Sequence, residues 1–345
     1  METFLGIDYP TLWYLVVGLL FSGYAILEGF DYGAGSWHLF FKKDLSRRIA
    51  INAIGPIWDA NQVWLIIGGG ALFAGFPVMY ATMLSAMYIP FMLFLMLLVL
   101  RSSAIKFRSA EEMPWWRKTW DIIYFVSNVC ISFLLGVVLG NILEGFEIGQ
   151  EFKYQGGVFL SFLSPYAIMV GLTTLSIFMT QGAIFLLLKT EGRLHERLTF
   201  LLRKGMIFFI MSFSITSLYT LIFIPGVTDK FKENPLFFVL PVLAFLAVAN
   251  VPRLVSKKKY GYALIFSSLT MAFLLMLVAF QLYPTLLPST IHPNHSVTIY
   301  NAASSQKSLG IMLTIVVIGS PLLAGYFFFL YKTFYGKVKL DDTSY

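Results

Sequence analysis

One short segment brings together residue types that can hold a proton or pair with a cation. It runs from Gly55 to Trp64, reads GPIWDANQVW, and opens a long apolar stretch. Its ionisable residue is Asp59. The polar and aromatic side chains beside it are Trp58, Asn61, Gln62 and Trp64. A carboxylate in hydrocarbon costs roughly 2.5–3.5 kcal/mol on insertion scales and is by default a candidate functional residue. We therefore expect Asp59 to be buried in the membrane among these partners.

Two more carboxylates are predicted at a similar depth. Glu28 and Asp31, three residues apart, lie near the end of the first apolar segment and share one helix face. Asp59 begins the second segment, which returns from the same side, and Arg101 at the end of the third is the predicted cationic partner. Two interpretations stay open. The groups form either a structural network, completed by nearby amides, or an entry path for protons.

The composition defines the class of protein. Of 345 residues, 58% are hydrophobic and only 12% are charged, whereas soluble domains have about 45–50% and about 25%. The net charge of +7 is spread over short clusters between apolar segments, which is typical of membrane loops and not of a nucleic-acid-binding face. We therefore predict an all-α integral membrane protein that binds the bilayer and no nucleic acid.

Nine spans are predicted, because each needs about 20 apolar residues. Together they form a single polytopic membrane domain over residues 1–345. The spans are Thr11–Phe30, Ala53–Phe76, Met79–Leu100, Asp121–Leu143, Ser164–Leu188, Met206–Ile224, Leu236–Leu254, Tyr262–Tyr283 and Leu309–Leu330.

The loop charges predict an orientation. Lysine and arginine cluster after the first, third, fifth, seventh and ninth spans, and the other loops are poor in them. By the positive-inside rule the amino terminus lies outside and the carboxyl terminus inside. Glu28, Asp31, Asp59 and Arg101 then lie toward the cytoplasm.

Small residues predict close helix packing at two places. Gly29 and Gly33 end the first span, and the Gly68–Gly70 triplet lies within the second.

The histidines do not suggest a metal or haem site in this chain. The four are His38, His195, His292 and His295. None lies in the middle of a span, where a membrane haem takes its axial ligands. The His292/His295 pair has no nearby carboxylate and is therefore only a weak indication of a metal site. We expect this chain to bind no cofactor and no metal, and any redox centre to belong to a partner.

Several stretches resemble subunit II of cytochrome bd-type quinol oxidases. They are EGFDYGAG from Glu28, RRIAIN from Arg47, PIWDANQVWL from Pro56, and the loop residues from Leu287 to Ser305. The usual glycine after the aspartate is Ala60 here. The similarity extends over nearly the whole chain.

The resemblance implies a fold and a function. The fold would have two four-helix bundles and one peripheral helix. The chain would stabilise subunit I, which holds haems b and d and the quinol site and reduces oxygen to water without pumping protons. Asp59 would line a proton path from the cytoplasm, with Asp31 and Glu28 as weaker candidates. The location would be a prokaryotic plasma membrane, and a small single-helix accessory subunit is a further candidate partner.

Two alternatives remain. One is a proton-coupled transporter, a class that often has broken helices and a site at the membrane midplane. Here the acids lie at the inner side, and we expect no span to be broken. The other is a pure scaffold of the oxidase, in which the carboxylates have no proton role.

Overall fold

The structure is a computed structural model that describes residues 3–4, 6–157, 159–224 and 235–340. Helices dominate these ranges. They are α1 (Tyr9–Gly35), α2 (Asp44–Ile54), α3 (Trp58–Gly75), α4 (Pro77–Ala86), α5 (Tyr88–Phe107), α6 (Pro114–Glu144), α7 (Pro165–Lys189), α8 (Gly192–Phe223), α9 (Val239–Ser256), α10 (Tyr260–Leu282) and α11 (Gln306–Thr333). Two small antiparallel pairs accompany them. They are β1 (Thr3–Phe4) with β2 (Ile7–Asp8), and β3 (Thr285–Leu287) with β4 (Val297–Thr298).

The helix lengths agree with a polytopic membrane protein. In the described ranges, 8 helices are long and apolar enough to cross a membrane, or up to 9 if the bent pair α3 and α4 is counted as one span. The prediction of an all-helical membrane protein is confirmed at this level. The count of nine spans and their division into two four-helix bundles stay predictions.

The second and third predicted spans are wrong in detail. Residues Ala53 and Ile54 belong to α2, and the span-forming helix begins at Trp58. The chain then bends by 116° between α3 and α4, because Phe76 leaves helical geometry and Pro77 begins the next helix. This bend lies at the boundary predicted between the second and third spans. A break also falls at Met87, inside the predicted span Met79–Leu100. The expectation that no span is broken is therefore wrong for the third predicted span.

Loops predicted on the same side of the membrane meet at the same end of the molecule. At one end, Trp13 Nε1 donates to Leu309 O at 3.1 Å, and Ser304 Oγ donates to Ala74 O at 2.6 Å. At the other end, Lys337 Nζ donates to the carbonyl oxygen of Thr190 at 2.8 Å. These contacts agree with the predicted alternation of the loops. Which end faces the cytoplasm stays a prediction.

Helix α7 lies in the middle of the packing and contacts α1, α6, α8 and α10. Helix α11 packs against α1, and its buried residues are Leu309 and Leu313. Most of the other residues of α11 are exposed or half-buried, which agrees with the predicted peripheral helix.

The glycine predictions have different outcomes. A Cβ atom on Gly33 would lie 1.7 Å from the backbone oxygen of Phe178, so α1 and α7 approach closely here, as predicted. The side of α7 that meets it also has a glycine, Gly182. A Cβ on Gly69 or Gly70 would meet nothing within 4 Å. Gly68 is buried and a Cβ there would lie 3.5 Å from the Phe21 ring of α1, so within the described chain the packing prediction is wrong for Gly69 and Gly70 only.

Candidate functional site

A buried cluster of two acids and one arginine lies between α1 and α5. Arg101 Nη1 is 3.1 Å from Glu28 Oε2, and Arg101 Nη2 is 3.7 Å from Asp31 Oδ2. All three side chains are 0% exposed. We call Glu28, Asp31 and Arg101 the acid–arginine cluster. The sequence-based prediction that Arg101 pairs with these carboxylates is confirmed.

Two buried asparagines complete the cluster. Asn61 Nδ2 of α3 donates to Asp31 Oδ2 at 2.9 Å, and Asn128 Oδ1 of α6 accepts from Arg101 Nε at 3.1 Å. Asn128 fits because a glycine, Gly35, faces it, where any Cβ would lie 2.2 Å from the amide. Asn61 bonds to a carboxylate, as expected, although its partner is Asp31 and not Asp59; sequence reasoning did not find Asn128.

Aromatic rings cover the guanidinium of Arg101. Its Cζ lies 4.6 Å from the ring centroid of Tyr32 and 5.9 Å from that of Trp58. The Tyr32 hydroxyl lies 2.7 Å from the hydroxyl of Tyr24, which is eight residues earlier on α1. A buried cation gains from such ring faces because each carries negative charge density. Trp58 therefore contacts the cluster through Arg101, and its predicted role beside Asp59 stays a prediction.

The charges of the cluster do not balance. With both acids ionised, the two carboxylates and one guanidinium would have a net charge of −1. In the part of the chain that the structure describes, Asp31 Oδ1 has no hydrogen-bond partner. An uncompensated buried charge is expensive. Charge balance therefore favours a state in which one of the two carboxylates is protonated.

The predicted burial of Asp59 is wrong. Asp59 is exposed in the first turn of α3, whereas Trp58 and Asn61 are buried. The reason is helical geometry: Trp58 and Asn61, three residues apart, share the inward face, and Asp59 between them turns outward. It remains near the cluster, since Glu28 experiences the charge of Asp59.

Gln62 and Trp64 do not join the acid–arginine cluster either. Gln62 is half-buried. Trp64 packs over Gly23 of α1, and its ring centroid lies 5.6 Å from that of Phe327. The indole nitrogen of Trp64 has no hydrogen-bond partner among the described residues. The structure therefore gives Trp64 a packing role between α1, α3 and α11.

A second polar cluster, which sequence reasoning missed, surrounds Asp121 of α6. Asp121 is 2% exposed and accepts from Arg108 Nε at 2.6 Å, from Arg47 Nη1 at 2.8 Å and from His38 Nε2. Arg108 Nη2 also donates to Asp44 at 2.5 Å. Burial lowers the pKa of Arg108, but its bonds to Asp121 and Asp44 outweigh this and raise the pKa above the usual value. The cluster ties α1, α2, α5 and α6 together.

We predict that Asp121→Asn lowers stability by on the order of 3 kcal/mol, because it leaves a buried guanidinium without its carboxylate. Thermal unfolding of the purified complex measures this. Asp44→Asn is the matched control, since the Asp44 side chain is 48% exposed and an exposed pair contributes at most about 1 kcal/mol. Equal stability of the two variants would contradict the anchoring role of Asp121.

Each of the four histidines has a contact within the described chain. His38 is buried at the end of the first span and its Nε2 bonds to Asp121. His195 Nδ1 lies 3.2 Å from Thr190 O. His292 and His295 pack against each other in the loop between β3 and β4, with ring centroids 5.4 Å apart. Among the described residues, no group of three or more His, Cys, Asp or Glu could hold a metal ion.

The fold and this site define a polytopic helical membrane protein with charged groups buried near one end of its spans. Residues 9–334 match the family described as cytochrome bd terminal oxidase subunit II. The chain belongs to this family.

Similar proteins support the assignment. The chain is 31% identical over 369 residues to cytochrome bd-I ubiquinol oxidase subunit 2 of Escherichia coli K12, covering 97% of each chain. It is 34% identical over 328 residues to cytochrome bd ubiquinol oxidase subunit 2 of Bacillus subtilis 168, covering 92% of this chain and 95% of that one.

The fold also resembles a solved structure, the bd oxidase from Geobacillus thermodenitrificans. The TM-score is 0.78 at 21% sequence identity, and the match covers 94% of this chain and 98% of that chain. At this identity the likeness concerns the fold alone. The resemblance noted from the sequence motifs is thus confirmed by the family match, and the chain is a subunit of a terminal quinol oxidase.

Proposed function

We propose that this chain is the haem-free subunit of the oxidase, that it stabilises the haem-bearing subunit, and that it carries protons from the inner side of a prokaryotic plasma membrane. The haems, held by the partner, would supply the redox chemistry by which quinol electrons reduce oxygen to water. The family and the named relatives support the oxidase role. The histidine chemistry above supports placing the haems in the partner.

One observation carries the proton role: two fully buried carboxylates share one arginine. A pair that holds a single proton can pass it on when the local charge changes, because losing or gaining it alters the net charge by one unit in a medium of low polarity. A balanced ion pair would have no such reason to exchange protons. Acids buried in spans commonly mark proton pathways in membrane proteins.

Asp59 is well placed to deliver protons to the pair. It is exposed, lies at the start of α3, and is electrostatically coupled to Glu28. An exposed acid collects protons from water at low cost, whereas the buried pair cannot reach water directly. In this proposal Asp59 is the entry group, and Glu28 and Asp31 receive the proton. The exposure of Asp59 changes its place in the path and keeps its role.

We predict that Asp59→Asn lowers quinol-driven oxygen consumption about tenfold while leaving haem content unchanged, since one protonatable group at the entrance typically contributes a factor of ten or more. Oxygen uptake by the purified complex measures the rate, and its visible spectrum measures the haem. Glu196→Gln is the control, because Glu196 is an exposed acid on α8. Normal turnover, or loss of haem together with activity, would favour a pure scaffold.

The transporter alternative gains nothing from the bent helices. The bend at Phe76 lies at the end of α3 opposite to Asp59, so the break and the acids do not form one site. Purifying the chain from its native membrane and identifying what accompanies it tests the partners directly. We expect a haem-bearing subunit, and the same experiment reveals any small single-helix accessory subunit.

A further inference from the structure

A hydrogen-bonded chain connects the acid–arginine cluster to the peripheral helix α11. The Tyr331 hydroxyl donates to Asn61 Oδ1 at 2.7 Å, and Asn61 Nδ2 donates to Asp31 Oδ2 at 2.9 Å. Tyr331 is half-buried, and both other residues are fully buried. The family assignment alone gives no role to the tyrosine.

These two hydrogen bonds define the orientation of the Asn61 amide. A primary amide has one end that accepts and one end that donates. An ionised Asp31 can only accept, so the NH₂ group faces Asp31 Oδ2, and Asn61 Oδ1 then accepts the hydrogen bond from the Tyr331 hydroxyl. The opposite orientation would turn the amide oxygen toward Asp31, and only a protonated Oδ2 could then bond to it.

Contacts with α7 hold the end of α11 in place, and they therefore also fix the position of Tyr331. Lys189 Nζ donates to Phe334 O at 2.5 Å, and Val338 N donates to Lys189 O at 3.0 Å. The ring of Tyr331 also stacks on that of Phe327, with centroids 6.3 Å apart. These contacts join the last turn of α11 to the end of α7.

We propose that Tyr331 is a positioning residue: its hydroxyl satisfies Asn61 Oδ1 and so stabilises the amide orientation in which Nδ2 donates to Asp31 Oδ2, which leaves Asp31 Oδ1 as the atom that takes up and releases the proton. Asp31 Oδ1 has no hydrogen-bond partner among the described residues, so it is free for that exchange. The effect on turnover rests on the proposed proton role. The effect on Asp31 itself does not.

Other groups also influence Asp31 and must be held constant in a test. The charged or titratable groups that face it or its partner carboxylate are Tyr24, Glu28, Tyr32, Asp59, Arg101, Tyr124 and Tyr331. A Tyr331→Phe variant removes one hydroxyl and leaves all the other groups in place.

The experiment uses infrared difference spectroscopy of the whole oxidase complex through a pH titration. The Asp31→Asn variant identifies the carboxyl band of Asp31. In Tyr331→Phe we expect this band to shift and the ratio of protonated to ionised Asp31 to rise about fivefold, the size expected for the loss of one hydrogen bond. The pH profile of oxygen consumption should shift to higher pH, because more of Asp31 is protonated at any given pH. Tyr326→Phe is the control, since Tyr326 is an exposed tyrosine on the same helix.

A double substitution tests the route. In an Asn61→Leu background, Tyr331→Phe should cause no further change in the Asp31 band, because the amide through which it acts is gone. An unchanged band in Tyr331→Phe, or a full effect in the Asn61→Leu background, would overturn the proposal. Loss of haem in Tyr331→Phe but not in Tyr326→Phe would show a structural role instead. If Asp59→Asn and Asp31→Asn have normal turnover while the band still shifts, the proton path fails and the positioning role stands.

Discussion

Arg101→Ala should lower the yield and thermal stability of the oxidase complex more than the loss of any other side chain in the acid–arginine cluster. It removes the cation that two fully buried carboxylates share. Breaking a buried pair in this way costs about 3–5 kcal/mol, a large part of the roughly 5–15 kcal/mol that holds a domain folded. Quantifying purified complex from membranes and measuring its unfolding temperature tests this.

Two other substitutions of α5 interpret the result. Lys106→Ala removes an exposed cation of the same helix that lies 5.6 Å from the Trp58 ring, and it should change stability little. Arg101→Lys keeps the charge but loses the bond to Asn128 and the flat contact with Tyr32, so its effect should be intermediate. Wild-type stability of Arg101→Ala would show that water, not the guanidinium, compensates the two acids.

The sequence predicted the partners of this cluster better than the exposure of its members. Glu28, Asp31 and Arg101 are the charged residues near the ends of apolar spans, and a charge there requires a partner, so their pairing could be predicted. The rotation of α3 about its axis could not. Apolar residues occur all around this helix, and they give no signal of which side faces inward. Asp59 was therefore predicted to be buried, although Trp58 and Asn61 occupy that face.

Contacts between distant segments were the other limit. Asp121 meets His38, Arg47 and Arg108, which lie 83, 74 and 13 residues away in the chain. In the sequence, Arg47 and Arg108 are ordinary loop cations and Asp121 is an ordinary acid at the end of a span, so nothing predicts that they meet. The interruption at Met87 was missed for a related reason, since hydropathy stays high through it and reports composition, not the direction of a helix.

Gly33→Ala should have the second large effect, because it acts on the backbone crossing that fixes α1. The added Cβ would lie 1.7 Å from the carbonyl oxygen of Phe178 and 2.9 Å from the backbone nitrogen of Gly182. Neither atom can rotate away as a side chain could, so α1 and α7 must separate. Overpacking costs about 1–3 kcal/mol and occasionally more, and we expect the upper end here. Thermal unfolding and yield of the complex measure the loss.

The consequence should extend beyond stability, since Glu28 and Asp31 lie within five residues of Gly33 on α1. Moving α1 away from α7 alters their distances to Arg101, so complex that does assemble should also turn over more slowly. Gly18→Ala is the control: it lies on the same helix, meets nothing within 4 Å, and should be neutral or stabilising by up to about 1 kcal/mol. If both variants behave alike, α1 and α7 do not cross at Gly33, and the depth at which α1 holds its two carboxylates must be set by other contacts.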